Sequence, residues 1–195
     1  VRLSIRQESD AMPVPLGPQR SLELEIEKSV GGDVVKGGGY LKIDTSLFWR
    51  FNTFFSRRLL PNALDVHVLA GSVFGSVPVQ KLGIVDGSPT FTTFGGLKTA
   101  KNPPYQGDRW VLLAWEHTFR TVPFELIGWE WAIKKHWNVI LHGAHGWTSF
   151  EGYEPEGVPV FDSDGVHNEL GFSLSGLFTI LRLDASWRLD EPGFR

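Results

Sequence analysis

Carboxylates and histidines are the side chains of this sequence that could do chemistry, because its 195 residues include no cysteine. The lack of cysteine excludes disulfides, thiolate zinc ligands and cysteine nucleophiles. Glu23, Glu25 and Glu27 stand at alternate positions. On a strand their carboxylates would lie about 7 Å apart, a separation that glycoside hydrolases use. A solvated strand face whose acids pair with Lys42 or Arg50 is the commoner arrangement, so we predict that the chain is not an enzyme.

The histidines do not converge on one strand face. If residues 133–149 form a strand, His136 and His142 lie on one face and His145 lies on the other. A zinc site needs its ligands to converge, so this spacing does not favour one. Gly95 and Gly96 lack the Lys-Ser/Thr pair and the strand–helix context of a phosphate-binding loop. We therefore expect no metal and no cofactor, and we assign no catalytic residue.

Strands must position these side chains, because hydrophobicity alternates with period two along most of the chain. Residues 40–53 show the pattern best: Leu41 and Ile43 share an apolar face, while Lys42 and Asp44 share a polar face. The pattern predicts eight strands, at residues 1–8, 21–29, 40–53, 63–75, 110–120, 133–149, 168–177 and 180–189. Most of them reach the length of about 9–11 residues that a tilted transmembrane strand needs, above the globular average of about 5–6.

The two faces of the predicted strands differ in composition. The apolar face is aliphatic at mid-strand and carries aromatic residues near strand ends, as at Trp49, Phe119, Trp147 and Trp187. A lipid-facing band between two aromatic girdles has this composition. The polar face has the mixed charges of a wet lumen, and we predict that its lumen-facing charged residues are Lys42, Asp44, Arg50, Arg182, Asp184 and Arg188. The pattern favours an all-β chain that forms an antiparallel transmembrane β-barrel.

The connections between the predicted strands alternate in length. Residues 76–108 and 151–166 form long connections at one end of the strands, and most of the other connections are shorter. Outer-membrane barrels show this asymmetry, with long loops outside and short turns in the periplasm. Residues 124–136, with Trp129 and Trp131, suit either a short interfacial helix or a wide turn.

Composition bears on the remaining classes. A net charge of −3 argues against a basic nucleic-acid surface, and no apolar run reaches the roughly 18 residues of a transmembrane helix. A soluble β-sandwich would give the same alternation with its apolar face buried. As a carbohydrate-binding module, such a sandwich would stack its tryptophans on sugars, and its aromatic residues would line one exposed platform. The aromatic residues of this chain are instead scattered over nearly every strand.

Several ordered motifs carry a resemblance to a known family. They are Val77-Pro-Val79, Phe91-Thr-Thr-Phe-Gly-Gly96, Tyr105-Gln-Gly-Asp-Arg109, Leu113-Ala-Trp-Glu-His-Thr-Phe-Arg120, Asn168-Glu-Leu-Gly-Phe-Ser173 and Leu181-Arg-Leu-Asp-Ala-Ser-Trp-Arg-Leu189. The resemblance that they carry spans about two-thirds of the chain. The set resembles the C-terminal barrel of the bacterial surface antigen superfamily, which serves outer-membrane assembly and two-partner secretion. The similarity is strongest to the branch whose barrel follows a carboxypeptidase-regulatory-like domain.

The resemblance implies a sixteen-strand barrel in the bacterial outer membrane. Residues 1–195 are then expected to form the C-terminal half of that barrel without its last strand. The implied function is outer-membrane protein assembly or translocation, or a related membrane-embedded role. The implied partners are outer-membrane lipid and unfolded or secreted client proteins, with no nucleic acid.

The resemblance also assigns a role to residues 76–108, as the long extracellular loop that folds back into the lumen. Loops of this superfamily usually carry an Arg-Gly-aromatic tip after a Gly-Gly pair, whereas this chain has Lys98 and Lys101 there. One of these lysines is therefore expected to supply a cation to an acid in the lumen. The expected loop residues are Gly95, Gly96, Lys98, Lys101, Asp108 and Arg109. The loop is expected to contact the charged inner face at Arg182, Asp184 and Arg188.

Overall fold

The computed structural model describes residues 1–8, 19–29, 39–55, 57–86, 95–100, 104–151, 159–178 and 181–190. The described residues are mostly antiparallel β-structure. No helix among them is long and apolar enough to cross a membrane.

Ten strands and two short helices make up the regular structure of the described ranges. They are β1 (Arg2–Glu8), β2 (Gln19–Lys28), β3 (Tyr40–Asn52), β4 (Ala63–Gly75), β5 (Gly83–Val85), β6 (Tyr105–Gly107), β7 (Arg109–Arg120), α1 (Val122–Leu126), α2 (Glu130–Lys134), β8 (Asn138–Ser149), β9 (His167–Leu177) and β10 (Leu181–Arg188). A single 3₁₀ turn, Val79–Lys81, precedes β5.

Eight of the strands form one antiparallel sheet in the order β1-β2-β3-β4-β7-β8-β9-β10. Each strand pairs with its neighbour along the chain, apart from the insertion of β5 and β6 between β4 and β7. The predicted all-β fold with eight long strands is confirmed at this level. Within the described residues β1 and β10 stand at the two ends of the order, so the described sheet is open there.

Two of the connections contain structure of their own. Residues 76–108 carry β5 and β6, which pair with each other as a separate two-strand sheet. Residues 121–137 contain α1 and α2, so the predicted start of the sixth strand at residue 133 was too early, and β8 begins at Asn138. Of the two alternatives left open for this connection, short helices are the one that the chain adopts.

Residues of the β4–β7 connection cover the polar face of the eight-strand sheet, whereas many side chains of the apolar face are exposed. On the polar face, the connection residues Val77, Leu82, Val85 and Leu97 are buried against Trp110 and its neighbours. The apolar face has no such cover among the described residues, and many of its side chains are exposed. Examples are Leu3, Leu22, Val111, Leu141, Leu170, Phe172, Leu183 and Trp187.

Candidate functional site

The candidate site lies where residues 77–86 and 95–100 pack on the polar face of the sheet. Gly83 stands directly against Trp110 of β7, where a Cβ atom would fall 1.9 Å from the indole ring. Leu97 is fully buried, and its side chain adjoins Gly146 of β8. Small residues on the connection and on the sheet thus let two backbones approach closely, which brings residues 95–100 within reach of side chains on β7, β9 and β10. We call residues 95–100 the inner segment.

Lys98 of the inner segment enters a compact group of charges on the polar face. Its ammonium donates to Asp184 of β10 at 2.6 Å and lies 3.7 Å from Glu116 of β7. The Arg182 guanidinium donates to Glu116 at 2.7 Å and to Asp184 at 3.0 Å. Two cations therefore face two carboxylates, and all four side chains are largely buried. We call Lys98, Glu116, Arg182 and Asp184 the Lys98 cluster.

Glu169 of β9 holds the backbone of the inner segment. Its carboxylate accepts hydrogen bonds from the Lys98 N–H at 2.7 Å and from the Thr99 N–H at 2.8 Å. The Thr99 hydroxyl donates to the same carboxylate at 2.7 Å and lies 2.9 Å from Nε2 of His167. His167 Nδ1 in turn lies 3.2 Å from the Tyr105 hydroxyl. Since Glu169 is only 2% exposed, its charge depends on these donors rather than on water.

The expected loop residues divide into three groups. Gly95, Gly96 and Lys98 belong to the inner segment, whereas Lys101 lies outside the described residues. Asp108 is buried and accepts a hydrogen bond from the Glu151 N–H at 2.9 Å. Arg109 is the first residue of β7, and it pairs with Glu151 instead of entering the Lys98 cluster. Its register opposite Ser149 places it on the same face as Val111, away from the inner segment.

The strand residues expected on the polar face all share that face in the observed register. Arg182 and Asp184 contact the inner segment or its partners, as described above. Lys42 lies 3.4 Å from Asp44 and 5.1 Å from the centre of the Trp110 ring. Arg50 forms a bidentate pair with Asp65 at 2.5 Å. These side chains line the polar face, where their partners include Asp44, Trp110 and Asp65.

Arg188 is the last residue of β10 and binds Asp190. Its guanidinium donates to the Asp190 carboxylate at 2.7 Å. Burial raises the pKa of Asp190, but the hydrogen bonds from Arg188 and from the Asn168 N–H outweigh burial and bring that pKa to about 2. The carboxylate is therefore charged at any physiological pH, and the pair fixes the end of β10 beside β9.

Two of the three acids of β2 find partners other than those expected. Glu25 pairs with Arg2 of β1 at 2.5 Å, and Glu27 pairs with Lys81 at 2.8 Å and accepts from the Tyr40 hydroxyl at 2.6 Å. The hydrogen bond to Glu27 raises the pKa of Lys81. Lys81 thereby ties the first part of the connection to β2, as Lys98 ties its later part to β10.

The arrangement can hold an inserted segment against a wall of strands. Buried ion pairs and hydrogen bonds to backbone N–H groups are directional. They therefore fix both the orientation of the inner segment and its distance from the strands. Within the described ranges, His, Asp and Glu side chains do not gather in a group of three or more that could hold a metal ion. The contacts therefore hold the inner segment in place against the strands.

Sequence reasoning missed Thr99, Tyr105, His167 and Glu169. The useful signal was Glu169 itself, an acid whose alternation places it on the polar face two strands away from Glu116. An acid in that place needs donors, and the inner segment supplies them. The pairing could not be found from spacing alone, because 70 residues separate Thr99 from Glu169.

Comparison with known proteins gives no further guide. Neither a scan against models of protein families nor a search of curated protein sequences found a match to this chain.

Gly95 is the position where the inner segment is most sensitive to substitution. Its φ is +101°, and a Cβ would fall 2.5 Å from Nδ1 of His67 on β4. We expect Gly95→Ala to lower the free energy of unfolding by about 2 kcal/mol or more, from backbone strain plus displacement of His67.

Gly165→Ala is the matched control for Gly95→Ala, because Gly165 has φ +109° with open space around its Cβ position. Chemical denaturation of both variants separates the clash from the strain. Equal destabilisation of the two variants would show that Gly95 does not pack against His67.

Proposed function

We propose that this chain forms part of the wall of a bacterial outer-membrane β-barrel whose lumen holds the inner segment. In this proposal the barrel serves outer-membrane protein assembly or translocation, or a related membrane-embedded role. Its partners would be outer-membrane lipid and unfolded or secreted client proteins. The proposal on assembly and translocation rests on the resemblance to the surface antigen superfamily, and the proposal on the membrane rests on the sheet.

The observation that carries the membrane proposal is the exposure of the apolar face. Phe172 at the centre of β9 is 47% exposed and Leu183 of β10 is 62% exposed, whereas Glu169 and His167 on the polar face are almost fully buried. In water this arrangement exposes apolar surface that folding normally buries. In a bilayer the same face meets acyl chains, and the polar face lines the lumen.

The spacing of aromatic residues on the apolar face also supports a bilayer. From Val111, which pairs with Trp147, to Phe119, β7 spans about 26 Å at about 3.3 Å per residue. At a strand tilt of about 40° that length corresponds to a height of roughly 20 Å, close to the apolar band of about 25 Å in outer-membrane barrels. Trp49 of β3 and Trp187 of β10 are both in register with Trp115, midway between Val111 and Phe119, so aromatic rings also occur at mid-strand on this face.

A strand wall in a bilayer must also close into a barrel, because its edge strands need hydrogen-bond partners. Backbone N–H and C=O groups on an open strand edge find no water in the hydrocarbon, so β1 and β10 require further strand partners in a membrane. The proposed sixteen-strand barrel supplies those partners from outside this eight-strand sheet.

Gel migration of the protein in detergent tests the membrane proposal. We expect the protein from membrane fractions to resist alkaline extraction and to migrate faster before boiling than after boiling, because a closed barrel stays compact in detergent. A water-soluble protein whose migration does not change on boiling would contradict the proposal and favour the soluble carbohydrate-binding β-sandwich.

A further inference from the structure

The connection between β7 and β8 is built around a cluster of aromatic rings. Trp131 and Trp137 meet edge-to-face with centroids 4.9 Å apart, and Trp129 lies 5.7 Å from Trp137. Phe124 of α1 packs on Trp129 at 5.6 Å, which joins the two helices. Edge-to-face contacts of this kind fix ring orientation, so the cluster is a rigid platform.

Local sequence features explain why this connection folds compactly. Pro123 stands in the first turn of α1, where a missing N–H is tolerated. Gly128 has φ +68° and lets the chain reverse between the helices, and Ala132 is fully buried beneath them. The Trp137 N–H donates to the Ala132 carbonyl at 3.1 Å and closes the end of α2. The connection is thus an ordered element, although each helix is only five residues long.

This ordered element exposes large apolar side chains. Leu126 is 81% exposed, Ile127 is 72% exposed and Trp131 is 53% exposed. The neighbouring β3–β4 connection adds further exposed residues, namely Phe54, Phe55, Leu59 and Leu60. The Arg58 guanidinium binds the Glu125 carboxylate with two hydrogen bonds of 2.9 and 2.8 Å and joins the two connections. The result is one apolar surface across the end of β3, β4, β7 and β8, which we call the end patch.

The chemistry of the end patch fits the headgroup layer of a phospholipid membrane. Indole rings prefer this layer because they combine an apolar body with a polar N–H. Around the rings lie charged groups that remain solvated there, including the Lys134–Glu130 pair and the exposed Lys135. The end patch also continues the apolar face of the sheet, because His117 on that face contacts Phe119 and Phe54, with ring centroids 4.1 and 5.9 Å apart.

We propose that the end patch is an interfacial anchor that sits among phospholipid headgroups and fixes the depth of β7 and β8 in the membrane. This inference rests on the proposed membrane function, and it adds a specific lipid contact to it. Two connections hold the anchor together, so its depth is coupled to both strand pairs through Arg58 and Glu125.

Depth-dependent fluorescence quenching tests the anchor. The chain has no native cysteine, so Ile127→Cys and Phe172→Cys each accept one environment-sensitive fluorophore. The full protein is placed in phosphatidylcholine vesicles that carry a quencher either at the headgroup or deep in the acyl chain. We expect the label at position 127 to be quenched at least twofold more by the headgroup probe, and the label at 172 to show the reverse preference.

The two positions separate failure of the anchor from failure of the membrane function. Acyl-chain quenching at 172 without headgroup quenching at 127 would overturn the anchor and leave the barrel wall intact. If neither label is quenched, both proposals fail. Shielding at 127 from both lipid probes and from an aqueous quencher would indicate a protein partner on the end patch, which also overturns the lipid anchor. Boiled and unboiled gel migration of each labelled variant verifies that it folds.

Discussion

Phe172→Arg is expected to destabilise the protein in lipid by about 2–4 kcal/mol more than Phe172→Ala does. Phe172 lies at the centre of β9 on the apolar face and is 47% exposed. At the middle of a bilayer an arginine on a lipid-facing strand costs about that much, whereas on a water-exposed surface most substitutions change stability by less than about 0.5 kcal/mol. Both variants lose the ring contact with Trp187, so their difference isolates the charge.

Urea unfolding of the two variants in phosphatidylcholine vesicles measures that difference. Ser186→Arg on β10 is the reference variant for an arginine on the polar face, because Ser186 faces the polar side of the sheet opposite Gly171. Equal stability of Phe172→Arg and Phe172→Ala would mean that the apolar face meets water or a polar partner. The lipid-facing assignment would then be wrong.

Lys98→Met is expected to release the inner segment from the sheet. The substitution leaves Glu116 and Asp184 with one cation, Arg182, so one buried negative charge is no longer compensated. Removal of one partner from a buried ion pair typically costs about 3–5 kcal/mol. We expect a loss of that order, together with faster hydrogen exchange at the Lys98 and Thr99 amides that bind Glu169.

Two further variants make the Lys98→Met experiment specific. Adding Asp184→Asn to Lys98→Met restores charge balance around Arg182 and Glu116, so we expect it to recover roughly half of the lost stability. Lys81→Met removes a lysine from the same connection, but solvent screens its exposed pair with Glu27, so we expect only a small loss of stability. A loss in Lys98→Met no larger than that in Lys81→Met would show that the Lys98 cluster does not hold the segment.

The long strands were predictable because a single physical rule governs them. Each has one polar face and one apolar face, so alternation marks both its extent and its register, as in β3 and β4. The three-residue strands β5 and β6 are too short to show a period. The helices α1 and α2 were ambiguous for a similar reason, since five residues give little more than one turn.

The candidate site was predictable only in part. The Gly95-Gly96 pair and the polar-face charges could be placed from the resemblance and the alternation. The choice of Asp184 as the partner of Lys98 depends on strand order and on the path of the connection, because Lys98 lies 86 residues before Asp184 in the chain. Arg109 shows the limit of the approach, because a shift of one residue between loop and strand moves a side chain to the opposite face.

Lipid quenching along alternate positions of the sheet tests most directly whether the apolar face meets the membrane. Single cysteines at Leu22, Leu141 and Leu183 report the apolar face, and single cysteines at Ser21 and Ser46 report the polar face. In vesicles with an acyl-chain quencher we expect strong quenching of labels at the three leucine positions and weak quenching at the two serine positions. Quenching that does not alternate with the faces, or none at the leucine positions, would contradict a membrane-embedded wall.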